Sequence, residues 1–171
     1  SWTYKIPNNS NTKSYRNGGD CLNDPLFLDF YSVEEPWRCL GEVGKIVASS
    51  TLRPQGSKNY RATNLYDFDH ETAWVEGVKG HGIGQWIEFK NVCVRQDGYW
   101  CGVGSISILN GYAKSDKAWR ENGRVKRLKV YCNGKPKCIL ELKNSRSIQS
   151  FDVKDLLDNY LVKTLKFEIL D

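Results

Sequence analysis

Hydrophobic and polar positions alternate in short runs along this chain, and the alternation has the two-residue period of a β-strand. Residues 45–52 (KIVASSTL) alternate and are rich in β-formers, which predicts a first strand. In the run Gln85, Trp86, Ile87, Glu88, Phe89, the period sets Trp86 and Glu88 on one face and Ile87 and Phe89 on the other. Residues 103–109 (VGSISIL) predict a strand with Val103, Ser105, Ser107 and Leu109 on one face. Residues 125–132 alternate across a slight irregularity, with Val125, Leu128 and Val130 as core candidates. Residues 138–142 predict the hairpin mate of that strand, because Asn133-Gly134 is a turn pair. Residues 147–151 and 161–170 complete the strand set, and 155–157 predict one short helical turn. No helical periodicity persists beyond about ten residues. Short strands with Gly-rich turns between them argue an all-β sandwich or barrel.

Composition supports one globular domain with an extension. The chain has 171 residues, of which 40% are hydrophobic, enough to bury a core. Residues 45–171 read as the main domain and 1–44 as an N-terminal extension. Residues 10–20 of that extension are polar loop chemistry with a Gly pair, and Asn8-Asn9-Ser10 is a glycosylation sequon. Leu26, Phe27, Leu28, Phe30 and Tyr31 are apolar enough to pack on a neighbouring domain; a partner-facing arm is an equal alternative. The formal charge of +5 is mild. The densest basic run, Arg124 with Lys126 and Arg127, reads as a solvated strand face, which argues against a nucleic-acid partner. Met is absent even at the first position, so a start after processing or trimming is expected. No apolar run approaches the roughly 20 residues of a transmembrane helix.

Six cysteines fall into three neighbouring pairs: Cys21 with Cys39, Cys93 with Cys101, and Cys132 with Cys138. The last two pairs flank turn signals, which favours sequential pairing. Each bridge would contribute about 2–4 kcal/mol by restricting the unfolded chain, and three of them point to an oxidising compartment. Zinc is the competing use, but the CxxC spacing is missing and only two His are present.

The densest chemistry lies in 62–88. Asn64, Leu65, Asp67, Asp69, Thr72, Ala73 and Trp74, spaced N-L-x-D-x-D-x-x-T-A-W, resemble the discoidin-like, galactose-binding-domain-like superfamily. Four further blocks follow in order: Trp74 to Gly77, Gly80 to Trp86, Asn110 to Lys114, and Asn122 to Lys126. Together, over 47–170, they are similar to the subgroup called the NADase-type glycan-binding domain. The resemblance implies a discoidin-like jelly-roll β-sandwich, here with a disulfide-tied N-terminal extension. It also implies a structural Ca²⁺ that staples the loop before Trp74. Two departures stand out: Gln85 occupies a position often acidic in the subgroup, and the chain ends at Asp171 where relatives usually continue into a final strand with an acidic side chain.

Each candidate residue has a functional and a structural reading. Asp67, Asp69 and Thr72 supply hard oxygens suited to calcium, or they cap a turn through side-chain-to-backbone hydrogen bonds. Trp74 stacks on a sugar or, as is usual in the superfamily, belongs to the core. Glu76, between Trp74 and Gly77, suits a pair of sugar hydroxyls, or forms an ion pair, with Arg124 as the expected partner. Gly77, Gly80, Gly82 and Gly84 lack the following helix of a dinucleotide fingerprint and read as loop glycines. His81 at the loop tip donates to a ligand or is simply exposed. Tyr112, Lys114, Trp119 and Arg120 combine flat aromatic faces with polar groups, as carbohydrate sites do; alternatively Asn110 and Asn122 are turn residues and Tyr112 lies on the sandwich edge. Catalysis finds little support: no nucleophile motif is present, and only a carboxylate pair such as Glu71 and Glu76 would serve a glycosidase. The expectation is therefore a non-catalytic, secreted or cell-surface carbohydrate-binding module. Its partners are a glycan or glycoprotein and other domains of the same polypeptide or assembly. A protein–protein adhesion or complex-forming domain is the alternative, and a hydrolase the remote third.

Overall fold

Alternating strands need a partner surface for their apolar face, and this chain supplies it with a second sheet. The computed structural model describes residues 4–6, 26–32, 44–67, 69, 71–92, 101–157 and 162–171. The strands are β1 (Tyr4–Ile6), β2 (Leu26–Ser32), β3 (Lys45–Ala48), β4 (Trp86–Lys90), β5 (Cys101–Ile108), β6 (Arg127–Cys132), β7 (Lys135–Glu141), β8 (Gln149–Asp152) and β9 (Thr164–Ile169). Among the described residues they form a six-stranded sheet in the order β1-β7-β6-β9-β4-β3 and a three-stranded sheet in the order β2-β5-β8. All pairings are antiparallel except β1 on β7. Two pieces of the 1–44 segment are thus strands of the sheets: β1 lies beside β7, and β2 beside β5. Among the described residues no helix is long and apolar enough to cross a membrane.

The core sits between the sheets. Phe89 of β4, Phe167 of β9, Leu140 of β7 and Val130 of β6 meet Ile106 of β5 and Phe151 of β8 in one buried cluster. Phe89 packs edge-on to Phe167, with ring centroids 6.0 Å apart. In β4 the faces are as the sequence period requires, with Ile87 and Phe89 buried and Trp86 and Glu88 half-exposed. In β5 they are not. Val103, Ile106 and Ile108 face the core, while Ser105, Ser107 and Leu109 do not. The cause is a bulge: Phe30 pairs with Val103 and Asp29 with Ser105, so Gly104 is an extra residue that shifts the alternation by one.

A second bulge corrects the cysteine expectation. Asn133 (φ 50°) and Gly134 (φ 77°) close β6–β7 as a two-residue turn with both φ positive, which puts Cys132 opposite Lys135. Val130 then pairs with Cys138 and Tyr131 with Pro136, so Lys137 is extra. That extra residue turns Cys138 inward, diagonal to Cys132 rather than opposite it. Both side chains are wholly buried, and no disulfide joins them. Cys21, Cys39, Cys93 and the side chain of Cys101 lie outside the described residues, as do the 10–20 loop and the sequon. Burial pushes the Cys138 thiol up to about 12, so it stays protonated and unreactive near neutral pH. Iodoacetamide at pH 8 is expected to label Cys138 only after unfolding; a Cys132–Cys138 cross-linked peptide in the mass spectrum would contradict this assignment.

Candidate functional site

At one end of the sandwich the core is not closed. β4 and β6 begin there and β5 and β9 end there, because Trp86 pairs with Glu168 and Leu128 with Ile169. Between the strand ends lies a cavity of about 480 Å³, within the size range of small-molecule sites. Its floor is apolar: Ile87, Ile108, Leu128, Leu142, Phe167 and Ile169. Its mouth carries Glu76, His81, Tyr112 and Asn122. The loops 72–85 and 109–126 build that mouth.

The first loop is anchored through an amide. Gln85 Oε1 accepts hydrogen bonds from Ser49 (2.8 Å) and Ser50 (2.6 Å). Ser50 Oγ in turn accepts the Gly77 N–H at 2.9 Å, and the Ser50 carbonyl accepts the Trp74 indole N–H at 3.1 Å. Trp74 is therefore fixed as a half-buried wall that packs on the core and lines the cavity. The residue that stands where an acid is often found thus acts as a neutral double acceptor. Gly82, at φ +65°, lies so close to Glu76 that a Cβ there would fall 2.8 Å from the Glu76 Cδ. Glycine at 82 is what lets the carboxylate occupy the mouth. Glu76 is half-buried, and no hydrogen bond or ion pair engages it among the described residues. The expected Glu76–Arg124 ion pair does not form.

The acidic turn is closed by protein hydrogen bonds. Thr72 Oγ1 donates toward Asp67 Oδ2 (2.8 Å) and the Asp69 carbonyl (3.0 Å). Asp67 Oδ1 accepts the Asp69 N–H, and Asp69 Oδ1 accepts the Glu71 N–H. The neighbouring Asn64 amide donates to the carbonyls of Asn59 and Ala73 at 3.1 and 3.0 Å. Calcium wants six to eight oxygens. Two exposed carboxylates already engaged in N–H and O–H bonds are a poor fit, and no group of three His, Cys, Asp or Glu converges among the described residues.

The second loop hangs on Asn110. This buried side chain donates to the Val125 carbonyl (2.8 Å) and toward that of Lys143 (3.4 Å), and accepts the Val125 N–H (3.0 Å). Gly111, at φ +88°, lets Trp119 and Arg124 pack beneath the turn. The Trp119 indole donates to the Asn110 carbonyl at 3.0 Å, and the Arg124 guanidinium stacks 4.5 Å above its ring. Arg124 also donates to Asn144 Oδ1 and to the carbonyls of Trp119 and Asn122. A six-residue helix, α1 (Asp116–Glu121), carries Trp119; Ser115 caps it by accepting the Ala118 N–H. Ser115-Asp116 is the capping signal that starts it.

Asp171 closes one side of the cavity and makes a bidentate pair with Arg127, at 2.8 and 2.8 Å for the two closest contacts. Hydrogen bonding to Arg127 holds the Asp171 carboxyl below its usual range. Stability from the pair is therefore complete above the ordinary carboxylate range and disappears as pH falls through the depressed folded value. Arg127→Met is expected to lower the melting temperature at pH 7, and the gap from wild type should narrow as pH falls below the ordinary carboxylate range and close once Asp171 is protonated in the folded chain. A gap that persists with Asp171 protonated would show that packing, not charge, is what Arg127 contributes.

Of the sequence-derived ligand residues, Glu76, His81 and Tyr112 come together at the cavity mouth. Lys114, Trp119 and Arg120 do not line it. Lys114 pairs with Glu71 at 3.4 Å, Trp119 is the anchor just described, and Arg120 is exposed on α1. Glu71 is thereby separated from Glu76 in role, since only Glu76 lines the cavity. The apolar lining and Asp171 are not among the sequence-derived candidates. Alternation marks the floor as core and gives no sign that one end of the core stays open.

No curated protein matches the sequence. A family model described as the NAD glycohydrolase translocation F5/8 type C domain matches residues 37–171, which takes in both cavity-building loops. Its description names a translocation domain rather than a catalytic one. The F5/8 type C fold it describes is the discoidin-like sandwich seen in the two sheets, and the chain belongs to the NAD glycohydrolase translocation F5/8 type C domain family.

Proposed function

We propose that this chain is a non-catalytic glycan-binding module of a secreted or cell-surface protein, acting beside other domains of the same polypeptide or assembly. The sugar sits at the cavity mouth. The observation that carries this reading is the unengaged polar rim: Glu76, His81 and Tyr112 have no protein hydrogen-bond partner among the described residues, yet they converge on one opening. A carboxylate accepts from two hydroxyls at once, and a phenol both donates and accepts. The Tyr112 ring offers the flat apolar face that sugar C–H groups cover.

A glycan array with the full chain tests this, followed by calorimetry on the strongest sugar. Glu76→Gln is expected to weaken binding roughly 10- to 100-fold, the range of a charge-assisted hydrogen bond, with the melting temperature unchanged. Calcium and chelator arms should give the same isotherm, given the donor set at Asp67 and Asp69. An array with no bound glycan would sink the reading. The protein-docking alternative rests on Ile83 and Val78, which are 64% and 43% exposed on the 77–84 loop. It predicts that Ile83→Asp abolishes capture of a partner protein while sugar affinity stays intact.

A further inference from the structure

The cavity is lined by more than its polar rim. Besides Glu76, His81 and Tyr112 it is lined by Ile87, Ile108, Leu128, Leu142, Phe167 and Ile169, all but Leu128 buried. Three further polar side chains of the lining are already committed. Asn110 is bonded to the Val125 and Lys143 backbones, Arg124 to Asn144 and two carbonyls, and Asp171 to Arg127. A sugar hydroxyl placed against the apolar side chains would lose water without gaining a hydrogen bond from them. A methylene would gain the transfer free energy of apolar surface, and apolar cavities of this kind do take up small apolar molecules. The exposed Ile83 beside the mouth extends the apolar path outward.

We propose that the cavity takes the hydrocarbon aglycone of an amphiphilic glycoside, which enters chain first and leaves its sugar at the Glu76–His81–Tyr112 rim. The inference rests on the glycan reading of the rim and names the ligand class more narrowly. A purely polar oligosaccharide covers only the mouth; an alkyl glycoside fills both halves of the site.

The test is calorimetry of the full chain with methyl, butyl, hexyl and octyl β-D-glucosides and β-D-galactosides, below their micelle concentrations, with 1-octanol as a sugar-free probe. Affinity is expected to rise roughly three- to fourfold per methylene and then level off when the cavity is full. Glu76→Gln should weaken every glycoside by the same factor and leave the chain-length slope unchanged. Ala73→Phe, which places a ring in the wall, should bring the plateau to a shorter chain. Octyl glycosides no tighter than methyl glycosides would overturn the aglycone proposal and leave the rim reading standing. Octanol bound as tightly as the octyl glycosides would support the hydrocarbon cavity and overturn the sugar reading. Should Ala73→Phe fail to fold, the wild-type slope decides the matter alone.

Discussion

Asn110→Ala is expected to destabilise the protein by about 2–4 kcal/mol, because each buried polar group left unpaired costs about 1–3 kcal/mol. The substitution strands the Val125 N–H and the Val125 carbonyl, both of which the Asn110 amide now satisfies, whereas the Lys143 carbonyl keeps the Gln149 side chain and the Ser145 N–H as donors. The side chain is 3% exposed, so water cannot simply replace it. The loss should appear in urea unfolding as a lower midpoint with an unchanged slope. A change below 1 kcal/mol would mean that the 110–125 connection relaxes and rehydrates, and that Asn110 does not hold the second loop.

Gly82→Val is expected to abolish ligand binding while the fold survives. Two effects combine. A β-branched residue at φ +65° is strained by about 1–2 kcal/mol. Its Cβ would also sit 2.8 Å from Glu76 atoms, so the carboxylate must leave the mouth. Gly84→Ala is the control. It too has positive φ, at +79°, but no atom lies within 4 Å of its would-be Cβ. It should lower the melting temperature by a similar amount and keep the sugar. Equal binding losses in both variants would mean that loop strain, not Glu76 position, governs affinity.

Much of the fold could be read from the sequence because its signals are local. The β4 faces follow from a two-residue period, and the β6–β7 hairpin from Asn133-Gly134. The exceptions are all places where a distant partner decides. Gly104 becomes a bulge only because β2 pairs across it, and that bulge, not the pattern of 103–109, selects the core face of β5. Lys137 does the same for Cys138, which defeats a pairing inferred from spacing. Asn110 before Gly111 looks like a turn residue, and its three bonds reach residues 15 and 33 positions away. Trp119 and Arg124 satisfy each other, so residue types that suit a sugar are used to hold a loop. Glu76, His81 and Tyr112 line the cavity, and sequence surroundings rich in glycine and loop polarity leave them no obvious structural use.

The position of β9 has a consequence for how the chain acquires its fold. This strand lies between β6 and β4 in the large sheet, yet it comes after every other described strand in sequence. Before it is in place, the β3–β4 pair and the β6–β7 hairpin have no hydrogen-bonded connection within that sheet. A chain emerging from the ribosome therefore holds two half-sheets with open edges until β9 appears. Completion of the large sheet accordingly waits for β9 and is dominated by closure of long loops. A chain shortened before residue 164 would keep its hairpins and lose the sandwich.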